Sequence, residues 1–230
     1  MLPSLRNAVL DANRALGALG LAPFTFGNAS AIDRDRGLVV IKPSGVAYDA
    51  MTAADLVITD LSGNVVNGKL RPSSDLATHL VLYRAFDGIG GVVHTHSHFA
   101  TAWAQARREI PCFGTTHADY FHGPVPLTED LSADEIVSEY ETNTGMAIVR
   151  RFVDIDPLRL PAVLVASHAS FCWGPNVEAA VQTAAVLEEV ARMAYHTVTL
   201  DADAQAIDAS LHDKHFLRKH GPDAYYGQKK

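Results

Sequence analysis

The segment Ile89-Gly-Gly-Val-Val-His-Thr-His96 constrains this chain more than any other. Its short apolar run predicts a β-strand, and a strand needs a sheet to pair with. The side-chain period of a strand is two and its rise about 3.3 Å per residue, so His94 and His96 fall on one face, where both imidazoles can reach a single cation. A third histidine and a carboxylate from elsewhere would complete a nitrogen-rich site with room for a substrate oxygen. Such a donor set points to Lewis-acid chemistry, because a purely structural zinc module favours cysteines.

Two further fragments supply candidates, Ser73-Ser74-Asp75 and Ser167-His168. Asp75, His94, His96 and His168 together suit zinc or another divalent transition metal. Each also has a plain structural reading. A His-x-His pair can simply pack, an acid in a first helical turn favours the dipole, and His168 beside a buried strand can be a satisfied core residue.

Composition narrows the classes. At 230 residues and 48% hydrophobic, the chain can bury one substantial core, and a single domain over 1–230 is expected. A net charge of −7 argues against general nucleic-acid binding but leaves a small anionic substrate possible. The only cysteines, Cys112 and Cys172, suggest no disulfide framework and therefore a reducing compartment. The N-terminus lacks a signal-peptide pattern, and no apolar stretch reaches the roughly eighteen residues that a bilayer span requires. The expectation is a soluble, cytoplasmic protein.

Periodicity predicts helix over 4–19, a strand over 24–32 and a buried strand over 37–42. It then predicts a brief helical turn at Thr52–Asp55, and a hairpin of 56–59 with 65–66 around Ser62-Gly63-Asn64. Ser74 is the expected N-cap of a helix carrying Leu76, His79, Leu80, Tyr83 and Phe86. Helix returns over 97–108, and the capping box Ser132–Glu135 opens another that continues towards Phe152. A buried strand over 162–165, a long helix from Val177 to about Thr197 and a last one from about Gln205 to His220 complete the chain. The fold class is α/β, one domain with a central sheet flanked by helices.

Three segments suit a phosphate: Gly27-Asn28, Lys42-Pro43-Ser44-Gly45 and Arg71-Pro72-Ser73-Ser74. Each joins a tight turn to hydroxyl, amide or cationic donors, and Ser73 and Ser74 precede a helix N-terminus, a natural anion seat. Singly, each is an ordinary turn. Asp119, expected on a loop, and Tyr226, near the C-terminus, are acid/base candidates. His215 and Arg218 share a face of the last helix and could support an anion, although a solvated face would show the same pattern.

Read together, these fragments resemble the class II aldolase/epimerase family, to which the adducin head is also similar. The resemblance rests on Thr25-Phe-Gly-Asn-Ala-Ser30, Ile41-Lys-Pro-Ser-Gly-Val46, Pro72-Ser-Ser-Asp75 and Gly90-Gly-Val-Val-His-Thr-His-Ser97. It continues through Gly114-Thr-Thr-His-Ala-Asp-Tyr-Phe121, Asp213-Lys-His-Phe-Leu-Arg-Lys-His-Gly221 and Ala224-Tyr-Tyr-Gly227. It runs nearly end to end. It implies a mostly antiparallel sheet and one Zn2+ per subunit on Asp75, His94, His96 and His168. It also implies a phosphate seat from Gly27, Asn28, Ser44, Gly45, Ser73 and Ser74, with Lys42. Asp119 and Tyr226 are implied as proton carriers, with His215, Arg218 and Glu141 in support. The implied assembly is a homotetramer with active sites between subunits.

The activity implied is that of the epimerase branch, which interconverts L-ribulose 5-phosphate and D-xylulose 5-phosphate. The C3–C4 bond breaks by a zinc-dependent retro-aldol step, glycolaldehyde phosphate rotates to present its other face, and re-addition inverts C4. L-arabinose use is the implied setting, with ascorbate-type pathways employing similar enzymes. A fuculose-phosphate-type aldolase is the nearest alternative, but those members have Glu where Asp75 stands. A non-catalytic scaffold module of the same fold would be expected to lack the metal ligands.

Overall fold

The sheet grows outward from β1 (Gly27–Asp33) and β5 (Gly91–Thr95), both buried almost throughout. A strand covered on both faces reads as an unbroken apolar or small-residue run, which Ala29, Ala31, Val92 and Val93 provide. The computed structural model describes residues 1–227; residues 228–230 of the expected single domain lie outside them. Beside β1 lie β2 (Leu38–Ile41), β3 (Val57–Asp60) and β4 (Val65–Asn67); beside β5 lie β7 (Ser170–Gly174) and β6 (Ala162–Leu164). The order is β4-β3-β2-β1-β5-β7-β6, and every neighbouring pair is antiparallel.

Eight helices surround this sheet among the described residues: α1 (Pro3–Ala18), α2 (Leu76–Ala85), α3 (His98–Gln105), α4 (Thr115–Ala118), α5 (Ala133–Val137), α6 (Tyr140–Arg151), α7 (Val177–Leu200) and α8 (Ala209–His220). The register sorts them into layers. Ser30 stands opposite Val92, and Val92 opposite Trp173, so these residues share one face. On that face Ser30 meets His79 and Tyr83 of α2, while Trp173 packs on Phe86 and on Phe152 just past α6. The other face carries Ala29, Gly91 and Gly174 and receives α1 and α7. A Cβ at Gly91 would lie 2.4 Å from the Val177 Cα, so glycine there lets α7 dock directly on the strand.

Asn13 ties α1 to this layer. Its amide donates to Ala29 O at 3.1 Å and its Oδ1 accepts from Ala29 N at 2.8 Å, all without solvent exposure. Asn13→Ala therefore orphans a buried N–H and C=O of β1, and a loss of about 2 kcal/mol is expected. Urea unfolding checks this; an unchanged midpoint would show that water replaces the amide.

Three expectations are corrected. The helix predicted from Ser132 towards Phe152 is broken between α5 and α6. At the break the Ser138 hydroxyl donates to Asp134 O, and Asn143 Nδ2 donates to both Glu135 O and Ser138 Oγ. Those side chains compete with the helical ladder and turn the chain. Residues 115–118 form a short helix where a loop was expected, with Asp119 as its C-cap. Thr52–Asp55 closes as a turn rather than a helix, with Asp55 Oδ2 accepting from the Thr52 backbone and hydroxyl. No helix among the described residues is long and apolar enough to cross a membrane.

Candidate metal centre and acid/base cluster

His94 owes its position to the sheet. It lies opposite Asn28 on one side and Phe171 on the other, and its ring stacks on Phe171 with centroids 4.3 Å apart. Its Nδ1 is 2.9 Å from Ser170 O, and a carbonyl only accepts, so Nδ1 carries a hydrogen and Nε2 is the ring nitrogen left to face a cation. His96 follows the end of β5 on the same side, as the period of two requires. Its Nε2 is 3.1 Å from that of His94.

His168 arrives from the turn joining β6 to β7. Ser167 before it has φ 60°, a left-handed conformation held by Ser167 N donating to Ala104 O at 3.0 Å. The His168 Nε2 lies 3.3 Å from the His94 Nε2, and its Nδ1 lies 2.9 Å from the Tyr140 hydroxyl. Ligand atoms of the three imidazoles all lie within 4.8 Å of one another. Burial pushes His96 and His168 down to about 4, so both are neutral lone-pair donors at pH 7. Tetrahedral zinc with bonds of about 2.1 Å spaces neighbouring ligand atoms about 3.4 Å apart. The observed separations of 3.1 and 3.3 Å fit that demand.

Asp75 lies in the same cavity without joining the trio. It is the N-cap of α2, the place expected of Ser74, yet makes no side-chain capping bond. Its Oδ2 instead accepts from Asn28 Nδ2 at 2.6 Å. Burial would raise the acid, but His94 and His79, the Asn28 bond and His168 outweigh it and hold Asp75 below the usual carboxylate range. Asn28 Oδ1 is buried and without a partner among the described residues.

The cavity, of about 560 Å³, is lined by the trio, by Asp75 and by every candidate from the phosphate segments: Gly27, Asn28, Lys42, Ser44, Gly45, Ser73 and Ser74. A bridge between Pro43 and Pro72, with Ser44 N donating to Arg71 O and Ser73 N to Lys42 O, zips two of these segments together. Gly45 has φ 69° and Gly27 φ 151°, conformations that favour glycine. Lys42 is 2% exposed, and its ammonium meets only Pro43 O at 3.3 Å and the face of Tyr48. Among the described residues no carboxylate pairs with it. Burial lowers its pKa below the usual lysine value, and an anion entering the cavity would offset the cost of burying its charge.

Asp119, His215, Arg218 and Tyr226 do not line that cavity; they form a second cluster between α4 and α8. Asp119 accepts from Arg218 Nε and Nη2 at 3.1 and 2.8 Å and from His215 Nδ1 at 3.0 Å, with Lys219 Nζ 3.3 Å away. Against the opposing effect of burial, Arg218, His215 and Lys219 hold its carboxyl below the usual range. Tyr226 is 61% exposed, with Arg218 and Lys219 against its ring.

Sequence reasoning missed Tyr140 and Lys219. Tyr140 enters the cavity only because α6 restarts after the break at Ser138, and no local pattern announces that. Lys219 was legible as part of the basic last turn of α8. Glu141 lines the cavity beside Tyr140.

His117, on α4, donates Nε2–H to Gly123 O at 2.8 Å and is pushed down to about 4 by burial. Unfolded, it titrates near 6.5. Its contribution to stability is full above pH 6.5 and is lost as pH falls towards 4. His79, buried and pushed to about 3, acts in the same sense. The urea midpoint of the metal-free chain should fall steadily from about pH 6.5 to about 4.5; a flat profile would contradict neutral burial.

A model of the class II aldolase and adducin N-terminal domain matches residues 7–195. Among solved structures, an L-fuculose 1-phosphate aldolase superposes with a TM-score of 0.78 at 25% identity, covering 92% of this chain and 94% of that one. The L-fuculose-1-phosphate aldolase of Thermus thermophilus gives a TM-score of 0.69 at 24% identity, over 88% and 99%. An aldolase II superfamily protein from Pseudomonas syringae gives 0.76 at 17% identity, over 96% and 87%. The last two likenesses speak to the fold alone.

Proposed function

Because the chain belongs to the class II aldolase and adducin N-terminal domain family, we propose that it is a metal-dependent sugar-phosphate enzyme, specifically an epimerase acting on L-ribulose 5-phosphate. The observation that carries this reading is one cavity holding both three convergent imidazoles and an unpaired buried lysine. An electrophilic centre and an anion seat then face one substrate.

His94, His96 and His168 would hold a divalent cation, with Asp75 as the fourth donor. The cation, when bound, supplies Lewis-acid polarisation of a ketose carbonyl. Lys42, Ser44, Ser73 and Ser74 hold the phosphate, and Asn28 keeps Asp75 ionised and aimed. Asp119 and Tyr226 carry the C4 hydroxyl proton, one on each face of the aldehyde fragment as it turns. Since those two stand outside the cavity on their own chain, they serve the cavity of a neighbouring copy, in a homotetramer. Two free, buried cysteines suit a cytoplasmic enzyme. The epimerase is preferred to the aldolase because Asp, not Glu, follows Ser73-Ser74. The second reading is a fuculose-phosphate-type aldolase, and its support is the likeness to an L-fuculose 1-phosphate aldolase at 25% identity.

The test is to incubate the purified protein with L-ribulose 5-phosphate and Zn2+. D-xylulose 5-phosphate should form without accumulating glycolaldehyde phosphate; accumulation of that aldehyde with dihydroxyacetone would make the chain an aldolase. Activity should vanish with a chelator and return with Zn2+, Mn2+ or Co2+. Retention in excess chelator would remove the metal from the scheme.

A further inference from the structure

A second group of metal-competent side chains lies outside both clusters. His122 follows α4 and its Nε2 is 3.0 Å from Asp213 Oδ1; His212 Nδ1 is 3.7 Å from the same oxygen. Ligand atoms of all three lie within 4.8 Å of one another. The two imidazole centroids are 4.9 Å apart.

We propose that His122, His212 and Asp213 form a second site, for a divalent transition metal such as Zn2+ or Ni2+, which clamps the first turn of α8 to the loop after α4. The spacing supports it: 3.0 and 3.7 Å bracket the separation of about 3.4 Å set by tetrahedral bonds of about 2.1 Å. The outer hydrogen bonding supports it too. His212 Nε2 is 3.0 Å from Phe121 O and 3.1 Å from Gly123 N, an acceptor and a donor that one ring nitrogen cannot both satisfy. A metal on Nδ1 selects the tautomer that donates to the Phe121 carbonyl, the usual support of a ligating histidine. His122 Nε2 becomes a ligand by moving its ring proton to Nδ1.

Two imidazoles and one carboxylate favour borderline transition metals over Ca2+ or Mg2+. Asp213 is 55% exposed and His122 29%, so an ion can enter and water can fill the open positions. The site ties together the two elements that also carry Asp119, His215 and Arg218. It does not rest on the epimerase reading.

The experiment is calorimetric titration of the untagged, chelator-stripped full chain with Ni2+. Two equivalents per chain are expected in the wild type. Asp213→Asn and His212→Ala should each weaken one of them by at least about tenfold while sparing the other. His96→Asn should do the reverse, so failure of this site and failure of the imidazole trio are distinguishable. Asp213→Asn is isosteric and exposed, and keeps the test valid if His212→Ala does not fold. A wild type that binds only an equivalent insensitive to Asp213→Asn, or two equivalents unaffected by either variant, would overturn the second site.

Discussion

His96→Asn should strip most of the bound divalent metal from the purified chain and cut turnover on the order of 10³-fold, with the unfolding midpoint of the metal-free protein nearly unchanged. The magnitude follows from losing about 4 kcal/mol of carbonyl polarisation. His96 is the right probe because it follows the last residue of β5 and its nearest ring contacts, at 4.9 Å, are His94 and His168 of the trio itself, with Phe26 farther off at 6.4 Å. His94 would be a poor one, stacked on Phe171 and bonded to Ser170 O, since its loss would disturb the sheet as well as the site. Elemental analysis decides the matter. Wild-type metal content in His96→Asn would end the case for the imidazole trio as the catalytic centre.

Tyr226→Phe should lower epimerisation by about 10²–10⁴-fold, the usual contribution of a positioned proton carrier, and leave metal content untouched. Asp119→Asn should do the same to activity, but it also breaks the bonds to His215 and Arg218 that dock α8, so a drop in stability accompanies it. In the proposed scheme Tyr226, exposed on its own chain, acts on a substrate held in the cavity of a neighbouring copy. Mixing His96→Asn with Tyr226→Phe subunits should therefore restore activity. In random closed assemblies about a quarter of shared sites receive both intact halves, setting the expected recovery. Mixtures as dead as their parents would place the metal half and the proton half in one chain, against the proposal.

Much of the fold was legible because its signals are local. Short apolar runs bounded by glycine marked the strands, and Ser132–Glu135 closed the capping box it promised. The break at Ser138 was not legible. It arises from side-chain bonds to backbone among Asp134, Glu135, Ser138 and Asn143, each individually compatible with a helix. That break is what carries Tyr140 to His168. The resemblance supplied Asp119 and Tyr226 as a pair, but nothing in spacing said that Arg218 and Lys219 would hold them together.

The amino-acid order alone determined that His94 and His96 share a face, because alternation along a strand is a property of the backbone and needs no partner. It also determined where the turns and caps could fall. Only the tertiary structure decided that His168 completes the trio, that Lys42 is buried without a counter-charge among the described residues, and that Asp119 lies outside the cavity. Those facts depend on which distant segments the antiparallel sheet sets side by side, and long-range packing, not local propensity, determines that.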